Sequence, residues 1–338
     1  MSEVAILTAK DFKTDQDVRW CPGCGDYSIL AQVQNILPKI GVAKEDIAIV
    51  SGIGCSSRFP YYTETFGMHS IHGRAPAIAS GLKATNPELS VWVVTGDGDG
   101  LSIGGNHLIH ALRRNFDINI MLFNNQIYGL TKGQYSPTSE VGMVAKSTPM
   151  GSIDHPFNPA ALALGADSSF FARTMDRDPK HMQAMLMRSH EHTGTSLLEI
   201  YQNCPIFNDG AFFAFTDKAT KGQTALFLEH GEPLLFGPDK SWGIALDGFR
   251  PVVVNLNEGV SADDCWIHDE KDLYKAQILS RMFDDPQLEG TLPRPFGVFY
   301  SADRPTYERE LHAQLAQASL AEANLDALIA GNDTWEIS

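Results

Sequence analysis

The sequence predicts an α/β fold, a mostly parallel sheet with helices on both faces. Two observations carry this. Short β-branched runs end repeatedly in Gly, Asn or Cys, and amphipathic stretches of helical period follow them. The runs are also apolar throughout, as expected of strands buried on both faces of a parallel sheet. In chain order, Ile29, Leu30, Val33, Ile36 and Leu37 share one helix face before Pro38 ends the run. The strands are "DIAIVSGIGC" (Asp46 to Cys55), "SVWVVTGDGDG" (Ser90 to Gly100), "INIMLFNNQ" (Ile118 to Gln126) and "TSLLEIYQNC" (Thr195 to Cys204), with "RPVVVNL" (Arg250 to Leu256) as a fifth candidate. A helical stripe of Leu108, Ile109 and Leu112 separates the second strand from the third. From about Phe207 the chain changes to Pro- and Gly-containing loops, then an Ala/Leu/Glu-rich helical end from Thr306 to Ala330. The expected organisation is a domain over 1–210 and an extension over 211–338 packed on it and on a partner.

Composition narrows the function classes. The 338 residues carry 26 Lys and Arg against 41 Asp and Glu, a net charge of −15, which argues against nucleic acid because a phosphate backbone needs a basic footprint. The first twenty residues include Glu3, Lys10, Asp11, Lys13, Asp15 and Asp17, not the apolar core of a secretory signal. No run of ~18 uninterrupted apolar residues suggests a membrane span, so the expected location is the cytoplasm. Five cysteines are too few, and odd in number, for a disulfide framework.

In open parallel sheets ligands gather at the carboxyl ends of the strands. Here four of those ends are polar or Gly-rich: "SGIGCSSR", "TGDGDG", "NNQIYG" and "QNC". Glycines in "GDGDG" (Gly96 to Gly100) allow backbone N–H groups close to a diphosphate, and the aspartates are hard oxygen ligands suited to magnesium. Asn125 ends the next strand, 28 positions after Asp97, so that both can meet on one cation. Cys21 and Cys24 flank Pro22-Gly23, and Cys55 and Cys204 lie at two further strand ends. No strand leads into the CxxC, which disfavours a thioredoxin-like dithiol. Four dispersed thiols suit a closed zinc site or a four-iron cluster equally, and spacing does not separate the two.

GDG, a spacer of under thirty residues and then NN resembles the thiamine diphosphate and magnesium motif. The resemblance implies magnesium ligation by Asp97, the Asn125 side chain and the Ile127 carbonyl, with Gly98, Asp99, Gly129 and Leu130 against the diphosphate. Family spacing alone favours Asp97 over Asp99 as the ligand. "WCPGCG", "GIGCSSR", "HGR", "GDGDG", "NNQIYGLTKGQYSPT" and "NCPIFNDG", in this order between about Arg19 and Ala214, are together similar to the β subunit of 2-oxoacid:ferredoxin oxidoreductases.

That likeness implies a four-iron, four-sulfur cluster on Cys21, Cys24, Cys55 and Cys204, with Cys265 an ordinary thiol. Ile53, Gly54, Ser56 and His72 are then expected beside the cofactor ring, the lesser alternative for a lone His being a hydrogen-bonded core imidazole. Arg58 and Lys132 are the expected substrate-carboxylate contacts, and two cations favour 2-oxoglutarate over pyruvate. The family decarboxylates a 2-oxo acid, passes its electrons through the cluster to ferredoxin and its acyl group to coenzyme A. An α subunit supplies the acid that contacts the cofactor's aminopyrimidine, so the expected enzyme is an α2β2 assembly and the chain alone inactive. Two competitors remain at this point: a non-redox thiamine diphosphate lyase with a structural zinc, and a zinc-stabilised subunit whose thiamine motif is vestigial.

Overall fold

Apolar residues alternate between the two faces of each central strand, and both faces are covered. The computed structural model describes residues 7–283, 292–318, 324–333 and 335. Its strands are β1 Ile47–Ser51, β2 Phe66–His69, β3 Ser90–Gly96, β4 Ile118–Asn124, β5 Phe170–Met175, β6 Ser196–Tyr201, β7 Ala225–Phe227, β8 Leu235–Phe236, β9 Trp242–Asp247, β10 Arg250–Asn255 and β11 Arg294–Ser301. Eight form one sheet in the order β2-β1-β3-β4-β6-β5-β11-β7. The run from β2 to β5 is parallel, β11 lies antiparallel to β5, and β7 is parallel to β11. On one face Val91, Val93, Ile118 and Ile120 pack with Leu108 and Leu112 of helix Gly105–Arg114 and with Ala75 and Ala79 of helix Ala75–Thr85. On the other, Trp92, Val94, Met121 and Phe123 pack with Ile29, Val33 and Ile36 of helix Asp26–Ile36 and with Met182 and Leu186 of helix Pro179–Glu191. This period-2 switch of face is why the strands read as apolar throughout.

The fifth strand expected from the sequence forms, but in a different sheet. Arg250–Asn255 turns back on β9 through Gly248, at φ +60°, and joins β8 in a three-stranded antiparallel sheet with several residues exposed. Its "VVV" run marks a hairpin strand, not a buried parallel one. The C-terminal third nevertheless returns to the main sheet through β7 and β11. The expected helical end resolves into helices Tyr307–Gln317 and Leu325–Ala330, and residues 319–323 between them lie outside the described residues.

Arg173 of β5 faces Glu199 of β6 directly across the ladder. Its Nε donates to Glu199 Oε2 at 2.7 Å, with both side chains at most 1 % exposed. Glu199 Oε1 accepts from Asn124 Nδ2 at 2.8 Å, which ties the end of β4 to the same buried pair. Two further rings, His181 and His192, are held neutral by burial, which lowers each from 6.5 to about 4.

Two outcomes are expected. Glu199→Ala strands a buried guanidinium and lowers stability by about 3–5 kcal/mol, measurable by denaturant unfolding. The unfolded chain protonates both histidines below about pH 6.5 while the folded one resists until about pH 4, so stability falls as pH drops through that window. In His192→Gln the unfolding free energy loses part of this slope against pH.

Candidate functional site

The connection leaving β1 runs to β2 on one side, and that leaving β3 runs to β4 on the other. Such a reversal of direction opens a crevice at the carboxyl ends of the strands. A cleft of about 330 Å³ lies there. Ile53, Gly54, Ser56, His72, Asp97, Gly98, Asp99, Asn125, Ile127, Gly129 and Leu130, all singled out from the sequence, line it, and so does Cys55.

The two aspartates of "GDGDG" take different work. Asp99 Oδ1 accepts the backbone N–H of Ile53 at 3.1 Å and of Gly73 at 2.7 Å, while Oδ2 accepts the Thr95 hydroxyl at 2.6 Å. It therefore staples the end of β1 and the turn before helix Ala75–Thr85 to β3. Gly52 permits this approach, because a Cβ there would lie 1.8 Å from Asp99 Oδ2. Asp97, 2 % exposed, has Oδ2 held by the hydroxyls of Ser136 at 2.5 Å and Thr138 at 2.6 Å. Burial raises its pKa to about 6 against those hydrogen bonds, and a cation beside it would offset that cost. Asn125 points Oδ1 toward the Ile127 N–H at 3.2 Å and donates Nδ2 to Gln202 Oε1 at 2.7 Å. Asp97, the Asn125 amide oxygen and the Ile127 carbonyl are hard oxygen donors of the kind magnesium takes. Tyr128 covers Gly98, its ring 2.0 Å from where a Cβ would sit, and its hydroxyl donates to the Gly98 carbonyl.

His72 is exposed and lines the cleft, so it is not a core imidazole. Beyond Thr131 of the lining, Lys132 and Gly133 both take positive φ, +77° and +94°, which folds the loop back so that Tyr128 bridges Gln134. Lys132 is thereby exposed next to the lining, not within it. Arg58 departs from expectation. It lines a separate depression with Asp15, Asp17 and Tyr61, and its guanidinium donates to the Arg19 carbonyl at 2.7 Å. The short 3-10 turn Ser56–Arg58 carries the side chain away from the cleft.

The four thiols come from three segments that dock on one another. Cys21-Pro22-Gly23-Cys24 is a tight turn, with Cys24 N donating to Cys21 O at 3.1 Å and Gly23 at φ +82°. Proline at the second position and a left-handed Gly at the third suit a type II turn, which explains the Pro-Gly pair. Trp20 Nε1 pins this turn to the Cys55 carbonyl at 2.6 Å, and Gly25 N pins it to the Asn203 carbonyl at 3.1 Å. Burial raises the Cys24 thiol, and pushes Cys55 up to about 11, with Cys204 adding to both. Gly129 is the seam between cleft and thiols: a Cβ on it would lie 3.5 Å from Cys204 Sγ and 3.9 Å from Cys55 Sγ. Cys265 is buried elsewhere, beside Gly243.

Sequence reasoning missed four participants: Ser136 and Thr138 on Asp97, Tyr128 over Gly98, and Gln202 on Asn125. The hydroxyls of "YSPTS" were a visible signal, since buried carboxylates need donors.

Strand order, cleft and oxygen donors together define a thiamine pyrophosphate-binding domain. The family described as thiamine pyrophosphate enzyme, C-terminal TPP binding domain, matches residues 52–200. The chain is 52 % identical over 97 % of its length, and 88 % of the other, to 2-oxoglutarate oxidoreductase subunit KorB of Mycobacterium tuberculosis. It is 41 % identical over 59 % of its length, and 64 % of the other, to the β subunit of 2-oxoacid:ferredoxin oxidoreductase 2 of Aeropyrum pernix. Among solved structures, 2-oxoglutarate:ferredoxin oxidoreductase from Magnetococcus marinus, with 2-oxoglutarate, coenzyme A and succinyl-CoA bound, matches with a TM-score of 0.76 and 30 % identity, covering 97 % of both chains. This chain belongs to the β subunits of the 2-oxoacid:ferredoxin oxidoreductases.

Gly52→Ala tests the staple. Its methyl displaces Asp99, and overpacking of this kind costs roughly 1–3 kcal/mol. Calorimetry should show both a lower melting temperature and weaker thiamine diphosphate binding with magnesium present.

Proposed function

We propose that this chain is the β subunit of a 2-oxoglutarate:ferredoxin oxidoreductase, acting with an α subunit in coenzyme A-dependent oxidative decarboxylation of 2-oxoglutarate to succinyl-CoA. The observation that carries the reading is the seam at Gly129 of the cleft wall, where a Cβ would lie 3.5 Å from Cys204 Sγ and 3.9 Å from Cys55 Sγ. A non-redox lyase has no use for thiols at that wall.

Asp97, Asn125 and the Ile127 carbonyl would hold magnesium, leaving the diphosphate to complete an octahedral oxygen shell. Cys21, Cys24, Cys55 and Cys204 would hold the cluster. Bound there, thiamine diphosphate supplies carbanion stabilisation after loss of carbon dioxide, and the cluster one-electron acceptance.

The protein's own groups do the rest. Asp99 fixes the Ile53 and Gly73 backbone around the ring side, and His72 stands free at the cleft. Lys132 pairs with the distal carboxylate that distinguishes 2-oxoglutarate from pyruvate; Arg58, engaged with Arg19, leaves the other carboxylate contact to the α subunit. Ile71, Ile103 and Leu130, exposed about the cleft, offer the apolar surface on which that subunit would close and exclude water. An α2β2 assembly, ferredoxin as electron acceptor and a cytoplasmic location complete the proposal. Among the described residues no helix is long and apolar enough to cross a membrane.

Co-expression with the α subunit under anaerobic conditions tests the whole reading. The complex should be brown, contain iron and acid-labile sulfide, and reduce viologen with 2-oxoglutarate and coenzyme A faster than with pyruvate. A colourless zinc protein overturns it. Lys132→Ala should raise KM for 2-oxoglutarate far more than for pyruvate; equal changes would remove the lysine's assignment.

A further inference from the structure

Gln202 stands between the two cofactor sites. It follows β6, is 1 % exposed, and its backbone N–H donates to the Asn124 carbonyl at 2.9 Å, so its position is set by the sheet. Its side chain touches both sites. Oε1 accepts Asn125 Nδ2 at 2.7 Å, and Nε2 donates to Cys24 Sγ at 3.2 Å and to the Asn203 carbonyl at 2.6 Å. The direction of this chain is fixed by its ends. A carbonyl oxygen and a cysteine sulfur bound to metal can only accept, so Nε2 must face them and Oε1 must face the Asn125 amide.

Two consequences follow. With Nδ2 committed to Gln202, Asn125 must turn Oδ1 the other way, as a cation ligand requires. At the far end, an N–H···S bond stabilises negative charge on Cys24, and hydrogen bonds to ligand sulfurs are one of the terms that set a cluster's potential. Hydrogen bonds in series also polarise one another. A cation drawing on Asn125 Oδ1 therefore strengthens the Nδ2 donor, and through Gln202 the bond to Cys24.

We propose that Gln202 is a positioning residue that couples the two sites: it orients Asn125 for magnesium and raises the potential of the Cys24-ligated cluster when magnesium and thiamine diphosphate are bound. This rests on the cofactor assignment above. The cluster then becomes the better electron acceptor when the carbanion-stabilising cofactor is in place. By linkage, cluster reduction tightens the cation.

The test uses the αβ complex and EPR-monitored redox titration, with and without magnesium thiamine diphosphate, alongside magnesium affinity by calorimetry. In the wild type the loaded complex should titrate at a less negative potential than the unloaded one. Gln202→Met, similar in length but lacking donor and acceptor oxygen and nitrogen, should titrate at a more negative potential in both states, lose the difference between them, and weaken magnesium about 10- to 100-fold. Gln202→Glu keeps an acceptor for Asn125 and replaces the N–H donor, so magnesium affinity should hold near wild type while the cofactor-induced shift is lost. Wild-type potentials and affinity in either variant overturn the coupling. No cluster signal in the wild-type complex overturns the cofactor assignment itself, and the coupling with it.

Discussion

The arrangement depends on one constraint, the parallel pairing of β1, β3, β4 and β6, which delivers their carboxyl ends side by side. Residues distant in sequence, Ile53, Asp97, Asn125 and Cys204, become neighbours because each lies just past a strand of the same ladder. The ladder is fixed by apolar packing on both faces and, where β6 meets β5, by the buried Arg173–Glu199 pair. Asn124 is bound to that pair while Asn125, one residue on, reaches the cleft. Adjacent asparagines thus face opposite ways at the strand end, one bound into the buried pair and one lining the cleft.

Glycine recurs for specific spatial reasons around this site. Gly52 makes room for a carboxylate and Gly98 for a tyrosine ring, while Gly129 lies within van der Waals reach of two sulfurs. The first two clear space for the walls of the cleft to lock together. The third leaves only backbone between the cleft and two cysteine sulfurs. Acidity is handled in the same local way: Asp99 binds three donors across two segments, and Asp97 is buried with two hydroxyls on Oδ2.

Much of this was legible in the sequence because the central strands are buried on both faces and end in unusual residues. The cleft residues were readable through the likeness of "GDGDG" and "NNQIYG" to a known motif. Other parts were hidden for physical reasons. β5, with Arg173 in the middle of "FFARTM", does not read as a core strand until Glu199 is found opposite it. β10 looks like a core strand because valines also suit a half-exposed hairpin. Asp97 and Asp99 are indistinguishable in a repeating pattern, and only the three donors around Asp99 separate them. Arg58 sits three residues from a cleft cysteine, yet one turn of 3-10 helix rotates it out of the site. Gln202 carries no signal of its own, since its partners are 77 and 178 positions away.

β2 ends the sheet, and all four of its residues, Phe66 and Met68 included, are exposed. Among the described residues its outer row of backbone donors and acceptors has no ladder partner, and it carries large apolar side chains without lysine or proline to discourage pairing. An open edge of that kind is a template for any extended segment, including another copy's. The free chain therefore carries a self-association hazard in one short strand.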